Sequence, residues 1–274
     1  MSQWIAALPM YNVTPQHDAL WRALLRDTLD TFARAGGPRD VNLPADIPDD
    51  LLAFWRRPDL LISQTCGFPY RLLGIADTVH LLATPVFDAE GCDGPLYRSV
   101  FVVSRQAWDQ GAHSLESCRG LRAACNSVDS HSGMNALRHA IAPLAHAGRF
   151  FSSVKWVGSH LNALRALNAG EADVAAIDCV TLAYVRDALP AWLQNVCTIG
   201  MSAAAPGLPL IASRSLPEQQ AALLRDALDH ACAADPPRAR TLRLRGFMRL
   251  APADYARIQQ FADEACTFSY PNLV

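Results

Sequence analysis

Short apolar runs alternate with longer stretches whose apolar residues recur at spacings of three and four, and the pattern repeats along most of the chain. A short apolar run bounded by turn residues fits a buried strand, and the three-and-four spacing fits one face of a helix. Residues 14–35 give the clearest helical stretch, with Leu20, Trp21, Leu24, Leu25, Thr28, Leu29 and Phe32 on one face. Thr14 supplies the N-cap, and Gly36-Gly37-Pro38 ends the helix.

Strands are expected at residues 3–9, 60–62, 79–87 and 97–104, with a short helix at 49–55 and a Gly- and Asp-rich loop at 88–95. The same logic then repeats. Strands at 121–125, 154–157 and 174–177 lead into helices at 130–144, 159–168 and 179–189. Strands at 196–202 and 208–212 precede helices at 217–234 and 252–266. Strand alternating with helix predicts an α/β fold with mainly parallel sheets flanked by helices.

Composition excludes several function classes. Apolar residues make up 51% of the 274, enough for a large core, and charged residues only 18%, which argues against disorder. Net charge is −2 and no basic run exists, so a nucleic-acid partner is not expected. Lys155 is the single lysine. No apolar run is long enough to span a membrane, and the segment 1–9 lacks the basic start and cleavage site of a secretory leader. As written, the chain is expected in the cytoplasm, or in the periplasm if a leader has been removed. The eight cysteines are scattered without a C-x-x-C pair, so neither metal nor cofactor is expected, and reduced thiols are.

Polar turns at the ends of the expected strands are the candidate sites. Asp129-Ser130-His131-Ser132-Gly133 opens a helix, where free N–H groups and the positive dipole end meet. Ser130, Ser132 and the backbone beside Gly133 suit a small oxyanion, or Ser130 is an ordinary N-cap. His160 follows Gly158-Ser159 at the next helix start, as an anion donor or as a capping histidine. Asp178 ends a strand, where α/β proteins collect ligands, or it caps the helix beginning at Cys179. Ser63, Gln64 and Thr65 follow the strand at 60–62. Cys66 beside them would need a base to act as a nucleophile, and no third orienting group is evident.

Four segments, in order, resemble the substrate-binding proteins of phosphate, phosphite and phosphonate ABC importers (PhnD-like). They are Leu60-Leu61-Ile62-Ser63-Gln64-Thr65-Cys66-Gly67; Asp129-Ser130-His131-Ser132-Gly133-Met134-Asn135-Ala136-Leu137; Gly158-Ser159-His160 followed by Leu164 and Ala169-Gly170-Glu171-Ala172-Asp173-Val174-Ala175-Ala176-Ile177-Asp178; and Ala205-Pro206-Gly207-Leu208-Pro209. The resemblance implies a two-lobed, type II periplasmic-binding fold. One lobe comprises 1–98 with 204–274, the other 99–203, and two crossovers act as a hinge. It also implies that His160 faces the cleft; Tyr11, at the end of the first strand, and Tyr97, at the opening of the strand at 97–104, are placed to edge it or are buried core aromatics. The ligand is then a small anionic solute, with Asp178 rejecting a fully ionised dianion, and the macromolecular partner is an ABC importer permease. No catalytic set is recognised. A cytosolic metabolite sensor, or an enzyme such as a cleft hydrolase or a pyrimidine-precursor synthase of related fold, are the rival readings. His131 departs from the family pattern, which carries Ser or Thr there more often.

Overall fold

The computed structural model describes residues 3–46 and 48–273. The strands are β1 (Trp4–Ala7), β2 (Val41–Asn42), β3 (Leu60–Gln64), β4 (Val79–Phe87), β5 (Leu96–Tyr97), β6 (Ser99–Ser104), β7 (Arg122–Cys125), β8 (Ser153–Trp156), β9 (Val174–Asp178), β10 (Val196–Met201), β11 (Ala205–Pro206), β12 (Leu210–Ser213) and β13 (Leu244–Met248). The α-helices are α1 (Pro15–Arg34), α2 (Leu51–Trp55), α3 (Gly67–Leu72), α4 (Arg105–Asp109), α5 (Ala136–Ile141), α6 (His160–Asn168), α7 (Cys179–Ala188), α8 (Glu218–Ala234), α9 (Pro236–Thr241) and α10 (Ala256–Thr267). Contacts divide the chain into two compact units. The first holds Met1–Asp88, Asp93–Pro95 and Pro206–Ala256, and the second Ala89–Cys92, Leu96–Ala205 and Arg257–Val274.

In the first unit six strands form one sheet in the order β13-β4-β12-β3-β1-β2. β1 pairs in parallel with β2 and β3, while β12 and β13 return antiparallel. The sheet is therefore mixed, and the parallel pairing read from the strand–helix alternation holds only in its first part. α1 starts where the sequence places it: Thr14 Oγ1 accepts from the His17 amide at 3.3 Å, and Pro15 occupies the first turn, where its missing N–H costs nothing. Trp21, Leu24, Leu25, Leu29 and Phe32 are buried and packed toward α8. Each large apolar side chain so buried contributes about 1.5–3 kcal/mol. Gly37 lets the chain turn away, because a Cβ there would lie 2.5 Å from the Phe32 ring. Tyr255 joins Thr84 Oγ1 at 2.8 Å and donates to the Gly207 carbonyl at 2.9 Å, tying the end of this unit to β4.

In the second unit the sheet order is β10-β6-β9-β7-β8. β7 pairs in parallel with β8 and β9, and β6 runs antiparallel to β9 and β10. Every residue of β9 is buried, as expected for a strand covered on both faces. α6 presents Ala163, Leu164, Ala166 and Leu167 inward. Residues 257–274 pack with this unit, where the sequence reading grouped all of 204–274 with the first lobe. Side-chain contacts explain it: Phe261 of α10 stacks on His139 with ring centroids 4.3 Å apart, and Glu264 meets His139 Nε2 at 2.6 Å.

Candidate functional site

Strand order places the polar turns of the second unit. The chain leaves β7, returns as β8 on one side, and then crosses to β9 on the other side of β7. The crevice outside the carboxyl ends of strands at such a reversal is where open α/β sheets bind ligands. The carboxyl ends of β7, β8 and β9 deliver Asn126–Ser132, Val157–His160 and Asp178 to one edge. β6 runs the other way, so its start lies at the same edge, with Ser99 opposite Asp178 and Tyr97 two residues earlier.

Backbone hydrogen bonds hold the first two turns side by side. The Val157 amide donates to the Cys125 carbonyl at 2.8 Å, and the Gly158 amide to Asn126 at 2.7 Å. Gly158 has φ +83°, a conformation that side chains rarely adopt. The helix expected at 130–144 opens as a π-helical turn, His131–Asn135, in which the Asn135 amide reaches back five residues to the Ser130 carbonyl at 3.0 Å. Such wide turns recur at functional sites. α5 comes next, and then a 3-10 turn at Ala142–Leu144. Ser130 Oγ caps the turn by accepting from the Gly133 amide at 3.0 Å. A Cβ on Gly133 would lie 1.9 Å from Asn126 Oδ1, so only glycine fits against that side chain. Asn126 escaped the sequence reading. Its position directly after β7 was the only signal, and the Gly133 contact is not visible in sequence.

Ser132 Oγ and His160 Nε2 stand 2.8 Å apart, joining the first turns of two successive helices. Ser159 caps α6 by accepting from the Asn162 amide at 3.1 Å. His160 is half-buried as a residue, but burial of its ring drives its pKa down to about 4, with the Ala176 carbonyl pulling weakly the other way. Its Nδ1 has no partner in good hydrogen-bonding geometry. The imidazole is therefore neutral at pH 7. Asp178 is 2% exposed, and its Oδ1 accepts from the Val180 and Thr181 amides at 2.8 and 2.9 Å, so it is the N-cap of α7.

His131 points elsewhere. Its ring is 2% exposed and lies 6.1 Å from the Tyr97 ring and 5.2 Å from the Phe261 ring, measured between centroids. Asn135 Nδ2 stands 3.1 Å from His131 Nδ1 and donates to the Ile258 carbonyl at 3.0 Å. Burial, then the positive charges of His139 and Arg257, lower the His131 pKa to about 3. The residue that departs from the pattern at this turn is thus packed into the core of the second unit.

A profile described as the phosphonate periplasmic substrate-binding protein of ABC transporters matches residues 56–257. The chain belongs to that family. No curated protein matches it significantly. Among solved structures, this phosphonate-binding-family protein is similar to the binding-protein component of an ABC phosphonate transporter from Pseudomonas aeruginosa (17% identity, 98% of this chain and 88% of that one, TM-score 0.76). It is also similar to PhnD1 of Prochlorococcus marinus in complex with methylphosphonate (16%, 96% and 97%, TM-score 0.73). A third is XAC2383 of Xanthomonas citri bound to ATP (19%, 98% and 98%, TM-score 0.70). The fold is that of type II periplasmic-binding proteins. Among the described residues, no helix of this family member is long and apolar enough to cross a membrane.

The remaining candidates lie in the first unit. Tyr11 is 2% exposed and sits in an aromatic cluster, 5.2 Å from Phe87 and 6.3 Å from Trp21 between ring centroids. Ser63 and Gln64 finish β3 and Thr65 comes directly after it, all of them buried. Gln64 Nε2 donates to the Leu208 carbonyl at 3.4 Å, and the Thr65 amide donates to Pro209 at 3.0 Å. Thr65 Oγ1 donates to the Cys66 carbonyl at 3.2 Å. The Ser63 hydroxyl is buried without a hydrogen-bond partner. Cys66, the thiol of the nucleophile reading, is in this unit, and His160 is in the other.

Proposed function

We propose that this protein captures a small oxyanion of the phosphonate or phosphate class at the strand-end edge of its second unit and delivers it to an ABC importer. The observation that carries this reading is the 2.8 Å contact between Ser132 and His160. It brings the openings of two helices together, and helix openings present unpaired N–H groups and a partial positive charge to an anion. The side chains contribute an uncharged donor: the neutral imidazole donates from Nε2 to Ser132 Oγ, which leaves the serine hydroxyl free to donate to the anion. Such a set favours a small anion that accepts many hydrogen bonds over a large cation or an apolar solute. Family membership and the methylphosphonate complex of the Prochlorococcus relative support the same ligand class. The working compartment on this reading is the periplasm, which fractionation of the native source checks.

Titration calorimetry tests the site. Methylphosphonate or phosphate is expected to bind the unmodified protein, and Ser132→Ala and His160→Ala are each expected to weaken binding more than about tenfold, the loss of one hydrogen bond to a charged group or of the imidazole that orients it. Unchanged affinity in both variants removes the site. A thermal-shift series over phosphate, phosphonates, sulfonates and carboxylates ranks the ligand classes, since a ligand of the folded state raises Tm.

A further inference from the structure

Cys92 and Cys179 bring their sulfurs within 3.5 Å although 87 positions separate them in the chain. Both belong to the second unit. Cys92 ends a tight turn in which its amide donates to the Ala89 carbonyl at 2.9 Å, and Cys179 is the first residue of α7. The turn lies flat on the helix start. Gly91 has φ +96°, and a Cβ there would meet Cys179 Cβ at 3.1 Å, Cys179 Sγ at 3.4 Å and Met201 Sδ at 3.5 Å. Arg186, farther along α7, holds Glu90 of the turn at 3.3 Å. Beside the Cys179 side chain is a cavity of about 100 Å³ lined by Glu90, Val100, Leu182, Arg186 and Met201 among others.

We infer that Cys92 and Cys179 are a built site of reversible disulfide formation. Closing the bond needs the sulfurs to approach by about 1.5 Å, to the ~2.05 Å of a disulfide, and the adjoining cavity gives them room. The two thiols play different parts. Cys92 is half-buried and is the entry point, whereas Cys179 is buried. The sulfur of Cys92, burial, and the negative charge of Asp178, in that order, raise the Cys179 pKa, so Cys179 rests as a thiol. With a small-molecule disulfide as oxidant, the Cys92 thiolate attacks one of its sulfurs and expels the first thiolate. Cys179 then loses its proton to that leaving thiolate and attacks Cys92 Sγ, expelling the second. One external disulfide is reduced to two thiols, and two protein thiols become one disulfide. Exchange with an external dithiol runs the same steps in reverse and restores both thiols. The bond would fasten the turn Ala89–Cys92 to α7 one residue beyond Asp178, at the edge where the ligand site is proposed.

The test is oxidation of the purified full chain by oxidised glutathione. Free thiols titrated after denaturation are expected to fall from eight to six per chain. Mass spectrometry of a non-reducing digest is expected to show Cys92- and Cys179-containing peptides linked, and released by dithiothreitol. Cys92→Ser, checked for native circular dichroism, is expected to abolish that link. The proposal fails if a glutathione adduct persists on Cys92 with Cys179 free. It fails equally if a different pair of cysteines links first.

Discussion

Both units carry the same sequence signature, an apolar strand running into a polar turn, and they use it in opposite ways. In the second unit the turns after β7 and β8 become helix openings. Their serines cap amides, and two side chains, Ser132 and His160, meet each other at the sheet edge. In the first unit the polar end of β3 bonds inward, Gln64 to Leu208 and Thr65 to Cys66 and Pro209. A helix, α3, also begins just after the β3 turn, so the difference lies in the segment leading into β12, whose Leu208 and Pro209 carbonyls take up the polar groups of Gln64 and Thr65. A helix that begins at the turn leaves amides facing outward. An antiparallel neighbour such as β12 absorbs the polar groups into the sheet. On the proposed reading, a helix start marks a ligand site only where no neighbouring segment takes up the polar groups of its turn.

The largest effect expected from this asymmetry is acid lability of the second unit. His131 binds its proton only near pH 3 when folded, against 6.5 for an unperturbed histidine, and His160 only near 4. Below pH 6.5 the unfolded chain therefore binds more protons than the folded one, and stability falls as the pH drops through this window. Above 6.5 the contribution is fully present. The buried His131 alone is expected to cost on the order of 2–4 kcal/mol between pH 6.5 and 3. Denaturant melts at pH 7 and 4 check the slope, and His131→Gln is expected to flatten it. Hydrogen exchange at pH 4 that opens the first unit before the second would break the comparison.

Next in size is Gly133→Ala. Its Cβ would collide with Asn126 Oδ1, so the turn after β7 must shift. The expected loss is about 1–3 kcal/mol of stability, as for other overpacked sites, with at least about a tenfold weaker affinity as the two helix openings separate. Retained affinity with lost stability would show that the π-helical turn is structural only.

Periodicity made the strands and helices legible, because β9 and α1 bury their apolar residues in the register their patterns demand. The caps at Thr14, Ser130 and Asp178 were legible too, since Ser, Thr and Asp before a helical pattern carry a local mechanism, whereas the sequence reading began the next helix at Ser159, which is itself the cap. Three features were not. The antiparallel return of β12 and β13 depends on partners more than 100 residues away, such as Leu210 with Ala83 and Phe247 with Pro85. The π-helical turn depends on the fit of Gly133 against Asn126. The inward ring of His131 depends on Phe261, from the far end of the chain.

Asp178 sharpens the comparison within the second unit. As the cap of α7 it positions a helix opening, and we read it as a positioning residue. Asp178→Ala is expected to cost about 1 kcal/mol of stability and to weaken binding along with it. Asp178→Asn, an equally good cap, is expected to restore both. Stability rescued without affinity would instead assign the carboxylate charge to the ligand.

The smallest effect belongs to Ser63, and it is the most direct check on the first unit. Its hydroxyl is buried without a hydrogen-bond partner, while the residue itself belongs to a fully buried strand. A buried hydroxyl with no partner has lost its water without replacement, so removing it costs little and relieves desolvation. Ser63→Ala is therefore expected to leave Tm unchanged or to raise stability by about 0.5–1 kcal/mol, with calorimetric affinity for methylphosphonate within about twofold. The same truncation at Ser132 is expected to cost more than tenfold. A tenfold loss at Ser63 would mean that its hydroxyl is kept unpaired for a ligand, and the polar end of β3 would then be a binding element of the first unit rather than an inward-bonded strand end.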